Sequence, residues 1–277
     1  MNLQEITKAY DFSGKTIAIT GGGGVLCGAM AQSLAGCNAN IVILDRDMAL
    51  GEKVLQSLHG TKGNHKAVYI DVLDKTKVQE AADKTLAEYH KVDILINGAG
   101  GNNPKATTNA DMSFFDIPTE AIQFVSNLNL IGTILPCQIF GKQMVVQKEG
   151  IILNVSSMNA FRPLTRIPAY SAAKAAISNF TQWLAVHMAQ EYTPNIRVNA
   201  IAPGFFLTDQ NRFLLTDKAT GELTPRGKKI LDHTPIGRFG TPEDLLGGML
   251  WLLSPASKFV TGIVLPIDGG FSAYSGV

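Results

Sequence analysis

The sequence predicts an α/β fold, a single doubly wound domain on a mostly or wholly parallel sheet of about seven strands. Three observations carry this expectation. Short apolar runs rich in β-branched residues alternate with longer helical stretches along the chain. Those runs show little polar alternation, the pattern of strands covered by helices on both faces. A run of glycines also falls between the first apolar run and the first helix, where such folds make their tightest turn. No Pro- or Ser-rich linker and no short-period repeat interrupts the 277 residues, so one domain is expected.

In chain order, strands are expected over 16–20, 40–44, 67–70, 93–96, 151–155, 197–201 and 263–267, with helices including 29–34, 75–89 and 169–191. Segment 121–141 has no charged residue and is long enough to span a bilayer. Gln123, Asn127, Asn129, Pro136 and Gln138 interrupt it, however. A helix buried between the sheet and a partner subunit is expected, hence a homo-oligomer and no membrane. The segment 204–240 opens at Pro203-Gly204 and carries Phe205, Phe206 and Phe213, expected to be exposed, among charges. So long a connection is expected to serve as a substrate lid.

Composition narrows the function. Hydrophobic residues make up 45% and charged residues 17%, as in ordinary globular proteins. Lys plus Arg number 24 against 23 Asp plus Glu, a formal charge of +1 with no basic run, which argues against a nucleic-acid partner. The first eleven residues lack the basic and apolar regions of a secretory signal, so a cytoplasmic location is expected. Cys27, Cys37 and Cys137 cannot build a disulfide framework, and neither they nor the five histidines have metal-ligand spacing. Buried thiols and no metal are expected.

Thr20-Gly21-Gly22-Gly23-Gly24 runs from the first strand into a helix that begins near Val25. Glycines at that turn let a pyrophosphate approach the backbone, and the helix N-terminus supplies free N–H donors. Asp45 closes the second strand and can accept hydrogen bonds from an adenosine ribose, which favours NAD; Arg46 beside it can accommodate a 2′-phosphate, so NADP stays open. The residues Asp45-Arg46-Asp47 read equally as a solvated turn with a helix cap. Tyr170 and Lys174 stand four positions apart on one helical face, where an ammonium can bring a tyrosinate within reach. Ser157 follows the strand 151–155, at the end where parallel sheets gather ligands.

Taken together these residues resemble the short-chain dehydrogenase/reductase family over nearly the whole chain. The family's glycine loop matches 20–28, its adenine-contacting aspartate Asp71 in Asp71-Val72, and its motif after the fourth strand Asn97-Gly98-Ala99-Gly100. Its active-site asparagine matches Asn129, and its catalytic serine and Tyr-x-x-x-Lys pair match Ser157, Tyr170 and Lys174, followed by Arg197-Val198-Asn199, Pro203-Gly204, 238–244 and Asp268-Gly269-Gly270. Two departures stand out. Val25 and Cys27 occupy the places of loop glycines, with Gly24 and Gly28 beside them, and Gly98 replaces a more usual asparagine or alanine, a change expected to matter little.

The resemblance implies a Rossmann-type domain, a tetramer, and hydride transfer between a nicotinamide and a carbonyl carbon. Gly21, Gly24, Val25, Leu26, Asp45, Arg46, Asp71, Val72, Asn97, Gly98, Ala99, Tyr170, Lys174, Pro203 and Gly204 would hold the cofactor. Ser157 would bind the substrate oxygen, Tyr170 would deliver the proton, Lys174 would lower the tyrosine pKa and hold the ribose, and Asn129 would keep a relay water. The loops 21–28 and 98–107 further resemble the sugar-acid subgroup, the D-mannonate oxidoreductases or fructuronate reductases. Asn102, Asn103, Lys105, Asn159, Arg162 and Arg166 flank the expected site, with Asn103, Asn159 and especially Arg162 the substrate candidates. A polyol, steroid or 3-oxoacyl substrate stays open, as does a non-catalytic cofactor sensor.

Overall fold

A computed structural model describes residues 2–207, 215–217 and 220–276. Seven strands form one sheet: β1 (Thr16–Thr20), β2 (Asn40–Asp45), β3 (His65–Tyr69), β4 (Ile94–Asn97), β5 (Gly150–Val155), β6 (Ile196–Pro203) and β7 (Val264–Ile267). Every neighbour pair is parallel, in the order β3-β2-β1-β4-β5-β6-β7. This is the expected doubly wound fold. The order reverses direction beside β1, which leaves a crevice at the carboxyl ends of β1 and β4.

Both faces of the sheet are covered, and this explains the unbroken apolar runs. In β1, Ile17 and Ile19 join a core on one face with Met30 and Leu34, while Ala18 joins the other with Val78, Phe140 and Met144. Every residue of β1, β4 and β6 is buried, whereas the edge strands β3 and β7 are mostly part-exposed.

The first core is closed by α2 (Val25–Gly36), preceded in the chain by α1 (Leu3–Ala9). Helix α3 (Met48–Ser57), which the sequence pattern did not mark, starts where Asp47 Oδ1 accepts from Ala49 N at 3.0 Å and Leu50 N at 3.2 Å. Helix α4 (Lys75–Tyr89) has a like cap from Asp74 and covers the second core. Two further helices, α5 (Thr119–Ser126) and α6 (Gly132–Gln147), are joined by a π-helical turn, Asn127–Ile131. In that turn Asn129 Nδ2 donates to Val125 O at 2.8 Å, competing for the carbonyl that an α-helix would give to a backbone N–H.

The stretch Thr119–Gln147 is long and apolar enough to cross a membrane, yet half of its most apolar window is buried inside the protein. Its buried residues include Val125, Cys137, Phe140 and Met144, the last three in the core beside β4 and β5. Helix α7 (Pro168–His187) begins with proline at its first position, where no N–H is missed, and lies against β6 and α5. Helices α8 (Pro225–Asp232) and α9 (Leu246–Leu253) follow, and α9 packs on α2.

A buried polar chain fastens these layers beneath the crevice. Asn97 Nδ2 donates to Asn154 Oδ1 at 2.9 Å and to Cys137 Sγ at 3.1 Å, and Asn154 Nδ2 donates to Thr181 Oγ1 at 2.9 Å. It links β4, β5, α6 and α7. Because a buried donor stripped of its partner bears its full desolvation cost, Asn154→Ala is expected to destabilise the fold by about 2–4 kcal/mol. Urea unfolding would measure this, and a loss under about 0.5 kcal/mol would contradict it.

Candidate active site

At the carboxyl ends of the strands lies a cleft of about 620 Å³. One end is built by the glycine turn. Gly21 has φ 65°, and a Cβ there would stand 2.8 Å from Ala99 Cα, so no side chain fits. Thr20 Oγ1 accepts from Gly98 N at 3.2 Å and Ala99 N at 3.3 Å, holding the loop after β4 against β1. The α2 cap residue, Gly24, offers no side-chain hydrogen bond, and Gly24, Val25 and Leu26 line the cleft. First-turn N–H groups without a cap suit an anion.

Asp45, Arg46, Asp71 and Val72 line the same end. Asp45 Oδ2 accepts from Gly23 N and Oδ1 from Asp47 N, each at 2.9 Å, so its carboxylate is fixed in place at the rim. Asp71 Oδ1 accepts from Leu73 N at 3.0 Å. The helix-cap reading belongs to Asp47, which caps α3, while Asp45 and Arg46 line the cleft.

The departures from the family loop are coupled in space. A Cβ on Gly98 would lie 2.1 Å from Cys27 Sγ and 2.9 Å from Thr20 O. The sulfur of Cys27 therefore fills the space that a larger residue at 98 would take, and the glycine at 98 matters more than its sequence context suggested. Burial pushes the Cys27 thiol up to about 12, with the Asp45 carboxylate adding to the rise, so it stays protonated. Cys137 is likewise buried, whereas Cys37 is only half-buried, contrary to expectation. Among the described residues no group of His, Cys, Asp and Glu is placed to hold a metal ion.

At the other end stand Ser157, Tyr170 and Lys174, with Gly98, Ala99, Pro203 and Gly204 between. Ser157 follows β5, and Tyr170 and Lys174 lie in the first turns of α7. Lys174 is 4% exposed, its Nζ donates to Val155 O at 2.8 Å and sits 5.5 Å from the centre of the Tyr170 ring. Burial lowers the Lys174 ammonium to about 8. Burial also raises the Tyr170 phenol above its ordinary value, opposed by the Ser157 hydroxyl. The expected depression of the tyrosine by Lys174 is thus not what the free protein has; Ser157 is the group that favours the phenolate.

Other expected residues are placed differently. Asn97 does not line the cleft; its Nδ2 is engaged by Asn154 and Cys137, and its buried Oδ1 has no hydrogen-bond partner among the described residues. Asn129 is fully buried: its Oδ1 accepts from Gly101 N at 3.2 Å and its Nδ2 donates to Gly101 O at 2.7 Å. That amide clamps the Gly100-Gly101 loop, with both Nδ2 donations going to backbone carbonyls, Gly101 O and Val125 O. Asn103 caps a short turn through Lys105 N at 2.9 Å, away from the cleft lining. Arg162 is exposed, with Nη1 donating to Phe161 O at 3.3 Å, and also lies outside the lining. Asn159 is buried, and its Oδ1 is taken by Leu164 N and Ser171 Oγ, both at 3.1 Å, which disfavours direct substrate contact.

The expected lid is pinned at its base. Phe206 pairs with Gly240, and Leu207 N donates to Gly240 O at 2.9 Å. Phe206 is buried and lines the cleft, and Phe205 packs edge-on against Phe271 at 5.2 Å, so neither is the free surface aromatic that the sequence suggested. Phe213 lies outside the described residues. Arg226 on α8 and Arg166, like Arg162, lie outside the cleft lining. Burial, and then the Arg166 guanidinium, push Arg226 below the usual guanidinium range. Neither arginine has an acidic partner among the described residues.

Fold and site together define a nicotinamide-type oxidoreductase architecture, and comparison with known proteins agrees. The chain matches, over residues 26–272, a family model described as enoyl-(acyl carrier protein) reductase. It belongs to the short-chain dehydrogenase/reductase family, NAD(P)-dependent enzymes acting on CH–OH groups. It is 49% identical to an uncharacterized oxidoreductase of Haemophilus influenzae over 98% of each chain, and 32% identical to a 2-dehydro-3-deoxy-D-gluconate 5-dehydrogenase of Dickeya dadantii over 97% of this chain and 99% of that one. Among solved structures, one from Haemophilus influenzae provisionally assigned as a D-mannonate oxidoreductase, with bound NAD, superposes with a TM-score of 0.91 at 49% identity, covering 98% of this chain and 100% of that one.

The coupling of Cys27 and Gly98 is open to a double-mutant cycle. Gly98→Ala is expected to cost about 1–3 kcal/mol through the sulfur contact. Adding Cys27→Ala should recover about 1 kcal/mol or more relative to the sum of the single changes, and strict additivity would contradict the contact.

Proposed function

We propose that this chain is an NAD-linked oxidoreductase of a sugar acid, with the D-fructuronate/D-mannonate pair the first expectation. The single observation that carries the reading is that Ser157, Tyr170 and Lys174 meet on one cleft whose far end offers a glycine turn and a fixed Asp45 carboxylate. The cradle at Gly21, which a Cβ would fill, and the uncapped start of α2 fit a pyrophosphate. Asp45 fits ribose hydroxyls and repels a 2′-phosphate, which favours NAD over NADP.

Gly21, Gly24 and Asp45 would hold a nicotinamide dinucleotide, whose chemistry there would be hydride exchange with the substrate carbon. The chain's own residues handle oxygen and proton. Ser157 donates a hydrogen bond to the carbonyl oxygen, and Tyr170 Oη transfers its proton to that oxygen as the alcohol forms. Lys174, its Nζ 5.5 Å from the ring centre, places a positive charge beside the phenolate that this transfer leaves, and the phenolate takes its next proton from solvent. In oxidation Tyr170 acts as the base. Asn129 serves by shaping the Gly100-Gly101 floor.

For an acidic substrate the proposed carboxylate partners are Arg166 and Arg226, neighbouring cations that lie outside the cleft lining and have no carboxylate of the protein's own among the described residues. The segment 204–240, pinned at Phe206 and Gly240, is proposed as the lid that carries Arg226. A homo-oligomer, a tetramer by family, is proposed from exposed apolar residues along the helices, among them Val146 at 73% and Trp183 at 55%. The cytoplasm is its proposed location.

A panel of keto-uronic acids, neutral ketones, steroid ketones and 3-oxoacyl thioesters with NADH and NADPH tests the reading. Fastest reduction of a keto-uronate with NADH is expected. Tyr170→Phe should lower kcat by about 10²–10⁴ while NADH still binds. Arg226→Ala should raise KM for the acid about tenfold without changing turnover of a neutral ketone; equal effects on both would refute the carboxylate role.

A further inference from the structure

Asn159 is two residues beyond Ser157, buried, and saturated in a way that fixes which end of its amide faces which neighbour. Leu164 N, a backbone group that can only donate, stands 3.1 Å from Oδ1. Ser171 Oγ donates to the same oxygen at 3.1 Å. The other amide atom is therefore the nitrogen, and Nδ2 donates to Ser157 Oγ at 3.3 Å, while Asn159 N donates to that same oxygen at 3.2 Å. A hydroxyl oxygen has two lone pairs and one hydrogen. With both lone pairs engaged, Ser157 has its hydrogen alone to offer, toward the side where Tyr170 and the cleft lie.

We infer that Asn159 is a positioning residue that fixes the Ser157 hydroxyl as a one-way donor to the reacting oxygen. This inference rests on the oxidoreductase reading for its kinetic consequence, though its geometry does not. A serine free to rotate can donate to the substrate oxygen or accept from the Tyr170 phenol, and the second arrangement holds back the proton that Tyr170 must transfer. Two donors on Ser157 Oγ exclude that arrangement. The tyrosine proton then has the substrate oxygen as its acceptor, and the developing alkoxide meets a hydrogen bond already oriented, with no reorganisation in the transition state. Asn159 thereby acts through Ser157 without touching substrate.

The test is a pair of substitutions with opposite electronic and steric demands. Asn159→Asp keeps the shape and the oxygen that faces Leu164 N and Ser171, but puts an acceptor against Ser157 and turns its hydrogen away. Asn159→Ala removes the bulk and leaves Ser157 one backbone donor. With the carbonyl substrate that the unaltered enzyme reduces fastest, Asn159→Asp is expected to lose about 10²-fold in kcat at neutral pH. Asn159→Ala should lose about five- to tenfold, with KM and NADH affinity within twofold for both. Activity of Asn159→Asp should recover as the pH falls and the new carboxyl becomes a donor.

A packing role predicts the reverse order, Ala worse than Asp, with no recovery in acid. A substrate-contact role predicts a raised KM with kcat retained. Either result overturns the inference. Should Asn159→Asp fail to fold, unchanged kcat or a raised KM in Asn159→Ala would still do so. Independently of any substrate, titration of the Tyr170 phenol by ultraviolet difference against Tyr170→Phe should move upward in Asn159→Asp, because Ser157 no longer donates to the phenolate. No movement there would overturn the inference even if the panel of substrates proved the sugar-acid reading wrong.

Discussion

The site is organised around a lysine ammonium taken almost wholly out of water. Lys174 is set down by the first turns of α7 onto the end of β5, where the Val155 carbonyl receives its proton, and Ser156 and Ser178 bind the Lys174 carbonyl, each at 3.1 Å. Lowering a lysine from 10.5 to about 8 by burial costs the folded protein about 3 kcal/mol at neutral pH, where the charged form must still be held. The sign follows from linkage. The unfolded chain binds more protons than the folded one between about 8 and 10.5, so this group's contribution to stability improves as pH rises through that window. A fold that tolerates such a cost needs rigid layers beneath it, and the chain from Asn97 through Asn154 to Thr181 supplies one.

Rigidity also explains the loops. Thr20, Asn129 and the glycines hold three backbone segments within contact distance of one another, so side chains are excluded at Gly21 and Gly98. Cys27 and Gly98 show how such a junction changes without opening: volume lost at one position is taken up by sulfur at the other. The same economy governs amides. Asn97, Asn129 and Asn159 are all buried, and each is engaged with the protein itself, locking strand, loop and hydroxyl respectively.

Much of this was legible in the sequence. Unalternating strands reported a sheet covered on both faces, and Ser157, Tyr170 and Lys174 reported themselves through spacing that helix and strand geometry translate directly into proximity. Of the other lining residues, Asp71, Val72, Ala99, Pro203 and Gly204 followed from the family resemblance. What stayed hidden depends on distant neighbours. Whether an asparagine faces a ligand or a backbone N–H is decided by loops that fold back on it, so Asn103 and Asn159 looked like substrate contacts. Arg166 and Arg226 are far apart in sequence and become neighbours through α8, while Arg162, better placed in sequence, turns to its own backbone at Phe161. The upward shift of Tyr170 was hidden as well, because burial outweighs the neighbouring groups that favour the phenolate.

The central claim is that a desolvated, readily deprotonated lysine sits beside the tyrosine that handles the proton. Its most direct test is a titration of the Lys174 ε-carbon by nuclear magnetic resonance in the cofactor-free protein, assigned with Lys174→Arg. A midpoint near 8 is the expected result. A midpoint at the ordinary lysine value of about 10.4 would contradict the account.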